Sequence, residues 1–204
     1  MSHYFENDKK VQSEEKKTKV IIKNKPFTFI TDNGVFSKKG LDFGTRTLLE
    51  ALPDYIQGDV LDIGCGYGPI GIYLKSTYEV SVDMIDINLR SLKLATKNAK
   101  LNNVNVSIFE SDAFNNVDKK YDYIITNPPI RVGKEKLYNI IFGSMEHLKE
   151  KGELWFVINK NQGAKSMLTD LNNKYRAEVV EKNKGFFIIC VHTNWQFDKC
   201  LIKL

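Results

Sequence analysis

The sequence is poor in cysteine and has no long apolar run. Its three cysteines, Cys65, Cys190 and Cys200, form no Cys-x-x-Cys pair and no Cys/His spacing of the zinc-binding kind, and an odd count argues against a disulfide framework. No metal is expected. Apolar residues nowhere run far enough to cross a bilayer, and Met1 to Val20 contains no apolar stretch of the secretory kind. These absences exclude the secreted and membrane-spanning classes and point to a cytoplasmic protein with reduced thiols. Internal repeats and low-complexity segments are missing too.

What is present suits one well-buried α/β domain with a small N-terminal addition: 204 residues, 42% of them hydrophobic, are ample for one core and short for two. The net charge of +5 is compatible with a polyanionic partner without establishing one. Lysines crowd the front of the chain, where Lys9, Lys10, Lys16, Lys17, Lys19, Lys23 and Lys25 face four acidic residues before Pro26. A solvated, frayed terminus explains this more simply than a nucleic-acid arm.

Residues Met1 to Lys17 lack periodicity. Val20-Ile21-Ile22 and Phe27-Thr28-Phe29-Ile30, joined by a polar turn, read as a β-hairpin. A second turn at Asp32-Asn33-Gly34 leads into Val35-Phe36-Ser37, and Thr45 to Leu52 carries Leu48, Leu49 and Leu52 at helical spacing. This front part has too few apolar residues for a core of its own and is expected to pack over the rest. From Gly58 onward, strand and helix patterns alternate, the signature of a parallel sheet with crossover helices. Strands are predicted at Val60–Ile63, Val80–Ile87, Val104–Phe109, Tyr121–Thr126, Leu154–Ile158, Ala177–Val180 and Phe186–Val191. Asn88 caps a helix with Leu89, Leu92, Ala95 and Ala99 on one face; another runs over Leu137, Ile140, Ile141, Met145 and Leu148, and a third from Gln162 to Leu171. The turn at Asn183-Lys184-Gly185 is too short for a crossover, so the last two strands form an antiparallel hairpin at the sheet edge. The expected fold is α/β: a Rossmann-like, seven-stranded, mostly parallel sheet with helices on both faces, an antiparallel C-terminal hairpin and a small N-terminal β-hairpin. Residues 1–57 form the tail, hairpin and lead-in helix, 58–192 the main domain, and 193–204 an unassigned tail.

One stretch organises the rest: Val60-Leu61-Asp62-Ile63-Gly64-Cys65-Gly66-Tyr67-Gly68-Pro69-Ile70-Gly71. Val60, Leu61 and Ile63 suit a buried parallel strand, the alternating glycines let a ligand approach bare backbone, and Pro69 fits the first turn of a following helix. A structural turn without a ligand needs one or two glycines, not three in alternation. In an open parallel sheet, ligands sit at the carboxyl ends of strands near the reversal of strand order. Asp62, Asp86, Asp112 and Asn127 fall at four successive strand ends. Asp86 suits two ribose hydroxyls, because a carboxylate offers two acceptors in one plane, and Asp112 with the Ala113 N–H can read an adenine edge. Asp62 repels phosphate and favours a ligand with a positive group. Gly66 to Gly71 also matches the GxGxxG dinucleotide fingerprint, with Asp86 twenty residues after Gly66. Asp62 and the distance of those glycines from the apolar strand stand against that reading.

The second feature is Ile124-Ile125-Thr126-Asn127-Pro128-Pro129-Ile130. Two prolines fix φ and remove two donors, which leaves the carbonyls of Asn127 and Pro128 rigidly aimed. With the Asn127 side-chain oxygen, these can accept both hydrogens of a planar NH2 group and orient its nitrogen toward an electrophilic carbon. A rigid turn after a strand is the plainer use of Pro-Pro, and its place on the fourth strand of this pattern favours function.

Together these residues resemble the class I S-adenosylmethionine-dependent methyltransferases, and Asn127-Pro128-Pro129 resembles their amino-methylating branch. Asp32-Asn33-Gly34-Val35-Phe36-Ser37 followed by Gly40-Leu41-Asp42-Phe43-Gly44 is similar to the lead-in of the small-subunit rRNA guanine-N2 methyltransferase C family. The resemblance covers about residues 26 to 191, the catalytic half of the longer members, without their extra N-terminal domain. It implies that Asp62, Ile63, Gly64, Cys65, Gly66 and Gly68 surround the methionine part of S-adenosylmethionine, with Asp62 beside its cationic amino group. By the same resemblance, Asp86 and Ile87 hold the ribose, Asp112 and Ala113 meet the adenine, and Asn127 and Pro128 bind the target amine. The implied partner is RNA, as rRNA or the small ribosomal subunit, and a guanine inside a duplex has to be flipped out or presented single-stranded. The branch usually carries an aromatic residue after Pro-Pro, where this chain has Ile130; Phe36 is the candidate substitute, with Pro129 and Ile130 beside it. Arg131 and Lys134 suit phosphates, although a solvated loop explains them nearly as well. His3, His147 and His192 read as surface or packing histidines, and Trp155 and Trp195 as core strand and tail. Two rivals remain: a protein glutamine methyltransferase, whose Asn-Pro-Pro continues with Tyr, and a nucleic-acid-binding module that keeps the fold without catalysis.

Overall fold

The computed structural model describes residues 12–37, 40–129 and 133–193; Ile130, Arg131, His3, Trp195 and the tail beyond Thr193 lie outside the described residues. The chain opens with β1 (Lys16–Ile22), β2 (Lys25–Thr31) and α1 (Phe43–Ala51). It continues as β3 (Gly58–Ile63), α2 (Pro69–Thr77), β4 (Val80–Asp86), α3 (Leu89–Leu101), β5 (Ser107–Glu110) and β6 (Tyr121–Thr126). Then come α4 (Lys134–Glu146), β7 (Leu148–Asn159), α5 (Ala164–Asn172), β8 (Arg176–Asn183) and β9 (Phe186–His192). Among the described residues no helix is long and apolar enough to cross a membrane.

Strands β3 to β9 form one seven-stranded sheet in the order β5-β4-β3-β6-β7-β9-β8. Pairs up to β7 are parallel, and β9 joins β7 and β8 antiparallel, so β8 is the edge strand. The chain builds outward from β3 to β5 and then returns to the other side of β3 as β6, which puts the switch point between β3 and β6. The buried Thr126 hydroxyl donates to the Ile63 carbonyl at 2.7 Å and ties those two strands together at their carboxyl ends. One face of the sheet packs against the hairpin, α1, α2 and α3 through residues such as Phe29, Leu48, Tyr73 and Leu94. The other packs against α4 and α5 through Leu137, Ile141, Met167 and Leu171.

Several element boundaries differ from the sequence expectation: β1 starts at Lys16, inside the stretch read as irregular, and Leu148, expected on the helix of α4, opens β7 because that helix ends at Glu146. Strand β5 starts at Ser107, three residues late, because Asn103 adopts φ 55° and the Val104 N–H closes onto the Ala99 carbonyl as the C-terminal cap of α3. Strand β7 is longer than expected and shifts register between Tyr121 and Tyr123 of its partner. The third predicted helix divides into a 3-10 turn over Lys160–Gln162 and α5, separated by Gly163. The buried face of α3 is also displaced: Ser91, Leu94, Ala95, Asn98 and Ala99 are buried, while Leu89 is 44% exposed. Hydropathy pointed to Leu89 and Leu92, but the face is set by what covers it.

What covers it is the N-terminal hairpin. Lys23 and Asn24 both have positive φ, as the tight turn between β1 and β2 requires. The alternate residues Phe27, Phe29 and Thr31 are buried, and the Phe29 ring meets Tyr67 edge-on at 5.6 Å. The outer edge of β2 is then closed by two asparagines one helical turn apart on α3. Asn98 accepts from the Ile30 N–H at 2.7 Å and donates to the Ile30 carbonyl at 2.9 Å. Asn102 repeats the pair with Thr28 at 3.1 and 2.8 Å. By the same alternation the Pro26 nitrogen points outward, where no ladder bond is lost. The Asn98 amide also donates to the Tyr67 carbonyl at 2.8 Å, so one buried side chain joins the hairpin, α3 and the glycine turn.

Replacing Asn98 by Ala leaves these backbone groups unpaired in a buried place, which costs about 1–3 kcal/mol for each unsatisfied group. Urea unfolding of Asn98→Ala is expected to show a loss in that range or above. A change below about 0.5 kcal/mol, the level of an ordinary surface substitution, would show that the ladder contributes nothing.

Candidate active site

The turn after β3 is shaped by two carboxylates that bind backbone. Asp62 is fully buried, and its Oδ2 accepts the Gly71 N–H at 2.9 Å. This bond draws the first turn of α2 against the strand, and a Cβ at Gly71 would lie 2.5 Å from Met84 Cγ, so the approach needs glycine. Asp86, at the end of β4, accepts the Gly66 N–H at 2.9 Å through one oxygen and the Asn88 N–H at 2.8 Å through the other. Gly66 has φ 57° and open space where a Cβ would stand. Burial raises the carboxyl pKa of Asp62 to about 8, against the lowering effect of the Gly71 N–H and with a smaller rise from Asp86. Burial also raises that of Asp86, opposed by the backbone N–H groups it accepts.

Across the switch point, β6 is followed by Asn127, which the N-terminus of α1 meets. Asp42 caps α1, its Oδ1 accepting the N–H groups of Gly44 at 2.9 Å and Thr45 at 3.3 Å. The Thr45 hydroxyl makes a short hydrogen bond to Asp42 Oδ2. Asn127 Nδ2 donates to Thr45 Oγ1 at 2.9 Å and to Asp42 Oδ2 at 3.3 Å.

These two strand ends face one cavity of about 580 Å³. Of the residues singled out from the sequence, it brings together Ile63, Gly64, Cys65 and Gly66 from the turn and Asp86 and Ile87 after β4. Asp112 and Ala113 after β5, then Asn127, Pro128 and Pro129 after β6, complete that wall, and Phe36, 45% exposed, stands at its rim. Asp62, Gly68 and Lys134 are not part of the lining. Asp62 lies buried under the turn, where its carboxyl accepts the Gly71 N–H. Gly68 serves instead as the left-handed cap of α2. Lys134 lies over the Tyr138 ring, 5.0 Å from its centroid. Lys136 lines the cavity, as does Ile140 one helical turn on, and its ammonium pairs with Asp112 at 2.9 Å. The charged lining among the described residues is Asp42, Asp86, Asp112 and Lys136, so carboxylates outnumber cations and disfavour a phosphate-rich ligand.

Sequence reasoning missed Asp42, Thr45, Lys136 and Gln162. Asp42 could have been found as an acidic N-cap before the apolar stripe of α1, a usable signal. Gln162 lines the cavity from a 3-10 capping box with Asn159, a local pattern that says nothing about where it points. His147 stacks on Phe114 at 4.1 Å, and Trp155 lies buried in β7. His192 sits between Glu153 at 3.3 Å and Glu178 at 3.4 Å, next to the buried Cys190. Glu153, Cys190 and His192 come within ligand spacing of one another. Burial, with Glu153 and Glu178 nearby, pushes the Cys190 thiol up and away from the thiolate a metal needs.

The methyltransferase small domain family matches residues 26–190. The chain is similar to the uncharacterized protein YbxB of Bacillus subtilis, with 45% identity over 92% of this chain and 96% of that protein. It is 36% identical to the ribosomal RNA small subunit methyltransferase C of Psychromonas ingrahamii over 78% of this chain and 46% of that one. The chain thus spans less than half of that curated rRNA methyltransferase. Among solved structures, the T. thermophilus 16S rRNA N2 methyltransferase RsmC, in complex with AdoMet and guanosine, superposes with a TM-score of 0.78. That match has 22% identity and covers 90% of this chain and 52% of the other, a likeness of fold.

Because the pKa of Asp62 is raised from 3.8 to about 8, its protonated form is the one the fold favours. The stabilising contribution is complete below the unfolded value and is lost as pH climbs toward the folded one. Asp62→Asn keeps an acceptor for Gly71 and removes the ionisation. Unfolding free energies between pH 5 and 8 are therefore expected to fall more steeply for the wild type than for Asp62→Asn, and parallel curves would refute the assignment.

Proposed function

Because the chain belongs to the methyltransferase small domain family, we propose that it uses S-adenosylmethionine to methylate an exocyclic amine of an RNA base, with guanine N2 of small-subunit rRNA as the acceptor. The observation that carries this reading is that the glycine cradle after β3 and the Asn127-Pro128-Pro129 turn after β6 open into the same cavity. A nucleoside-bearing ligand and a planar amine can therefore lie side by side at the switch point.

The residues present fit the cofactor. Asp86 accepts the Gly66 N–H through one oxygen and the Asn88 N–H through the other, and the carboxylate's remaining acceptor capacity suits a ribose hydroxyl. Gly66 leaves open the space where a side chain would project, so the ligand can rest on the backbone. Ala113, with φ 49°, and Asp112 border the cavity beyond β5, where an adenine edge would reach. Bound there, S-adenosylmethionine supplies an electrophilic methyl group carried on a sulfonium. The chain's part is to orient the nucleophile: Asn127 Oδ1 and the Pro128 carbonyl accept the amine hydrogens, leaving the nitrogen lone pair aimed into the cavity. Those acceptors gain strength as the nitrogen turns positive, and the extra proton leaves to water without a dedicated base. Phe36 offers its ring at the rim as the surface on which the target base stacks.

Isothermal calorimetry is expected to show binding of S-adenosylmethionine and none of NAD; absence of heat with the former overturns the reading. Labelled-methyl transfer to bulk rRNA, isolated subunits and release factors then identifies the acceptor, with mass mapping of nucleotides locating guanine N2. Asn127→Ala should lower transfer about 10²-fold or more while S-adenosylmethionine still binds, as removal of one aligned polar group does elsewhere. Full activity in that variant contradicts the role. Loss of a stacking surface worth about 1–3 kcal/mol should make Phe36→Ala bind RNA roughly tenfold more weakly. Unchanged methylation kinetics would remove Phe36 from the acceptor site.

A further inference from the structure

We propose that Asp42 and Thr45 are positioning residues that lock the Asn127 amide with its oxygen toward the acceptor amine and make that oxygen a stronger acceptor. The proposal rests on the function argued above and adds the residues that set the geometry and charge of its acceptor group.

The direction of the amide follows from a count of hydrogens. The Thr45 hydroxyl has one proton, and it goes to Asp42 Oδ2, so Thr45 Oγ1 can only accept from Asn127. Both neighbours of Asn127 Nδ2, Thr45 Oγ1 at 2.9 Å and Asp42 Oδ2 at 3.3 Å, are therefore acceptors. Turning the amide over would set its oxygen against a carboxylate and a hydroxyl lone pair, so chemistry fixes a choice that atomic positions alone leave open. The carboxylate cannot swing away either, because its other oxygen is held by the Gly44 and Thr45 N–H groups at the start of α1. Capping a helix needs only that one oxygen. The second oxygen, turned to Thr45 and Asn127, is surplus to the cap, and Asp42, Thr45 and Asn127 all border the cavity.

A negative charge behind the NH2 end polarises the amide and deepens the negative charge on Oδ1. The amine nitrogen is neutral before methyl transfer and positive as the new bond forms, so the benefit grows toward the transition state and appears in kcat. Thr45 is buried, which keeps water from substituting for its hydroxyl.

Three variants test this. Asp42→Asn retains a capping oxygen, since Asn caps helices about as well as Asp, but removes the charge. Thr45→Val removes the hydroxyl at nearly constant shape, and Thr45→Ser restores it. With small-subunit rRNA as the probe, Asp42→Asn and Thr45→Val are expected to lose at least about tenfold in kcat with an unchanged KM for S-adenosylmethionine. Thr45→Ser should stay close to wild type. Unchanged kcat in both damaged variants, with only a lowered Tm, means a purely structural cap and overturns the proposal. A second readout needs no substrate: in ¹⁵N-asparagine-labelled protein, the side-chain NH2 signal that disappears in Asn127→Gln should be protected from exchange, and should lose protection in Thr45→Val. An unprotected Asn127 amide in the wild type also overturns the proposal. If the wild type methylates no RNA, the functional reading fails, and the amide protection alone then decides for or against the lock.

Discussion

The turn between β3 and α2 depends on carboxylates that bind backbone, and most of the site follows from that constraint. Asp62 holds Gly71 and Asp86 holds Gly66, so both flanks of the turn are anchored from neighbouring strands. With the turn fixed, α2 lies close over β4, and the bare backbone at Gly66, with open space where a Cβ would stand, becomes a floor. The cost is a fully buried carboxyl with one oxygen, Oδ1, unpartnered among the described residues. Protonation lessens that cost, which agrees with the raised pKa. Asp62 is in this sense a structural acid, and the charge that faces the cavity belongs to other residues.

The other half of the site is made by elements outside the parallel sheet. Helix α1 packs on β7 and β9 and brings its capped N-terminus to Asn127. The hairpin, held to α3 by the Asn98 and Asn102 ladder, covers the apolar face beneath the glycine turn. A parallel sheet alone presents loops at its carboxyl edge. Here the N-terminal part adds Phe36, Asp42 and Thr45 to the cavity that the strand ends line.

The negative lining gives the site a polarity that phosphate groups would meet unfavourably, and Lys136 moderates it only at Asp112. Asp86 is pulled two ways, since burial disfavours its charge while the backbone N–H groups of Asn88, Gly66 and Ile87 stabilise it. A ligand bringing hydroxyl donors or a positive centre relieves that tension. The preference for such a ligand is therefore shared by several carboxylates at strand ends, which makes it robust to the exact position of any one.

The order of strands and helices, the glycine turn and the Asn-Pro-Pro turn were legible in the sequence, because apolar periodicity, glycine and proline act locally. Most cavity-lining residues at the strand ends were legible for the same reason: a parallel strand carries its last residues to one known edge. Tertiary structure decided the rest. Whether Asp62 points into the cavity or beneath the turn depends on where the Gly71 N–H lies, and the hydrophobic pattern of α3 could not show that Asn98 was to be buried against β2. The packing of α4 brings Lys136 to the cavity and sets Lys134 over the Tyr138 ring. The meeting of Asp42, Thr45 and Asn127 joins residues more than eighty positions apart. Sequence determines what each residue can donate or accept; only the packed chain determines which groups come close enough to do so.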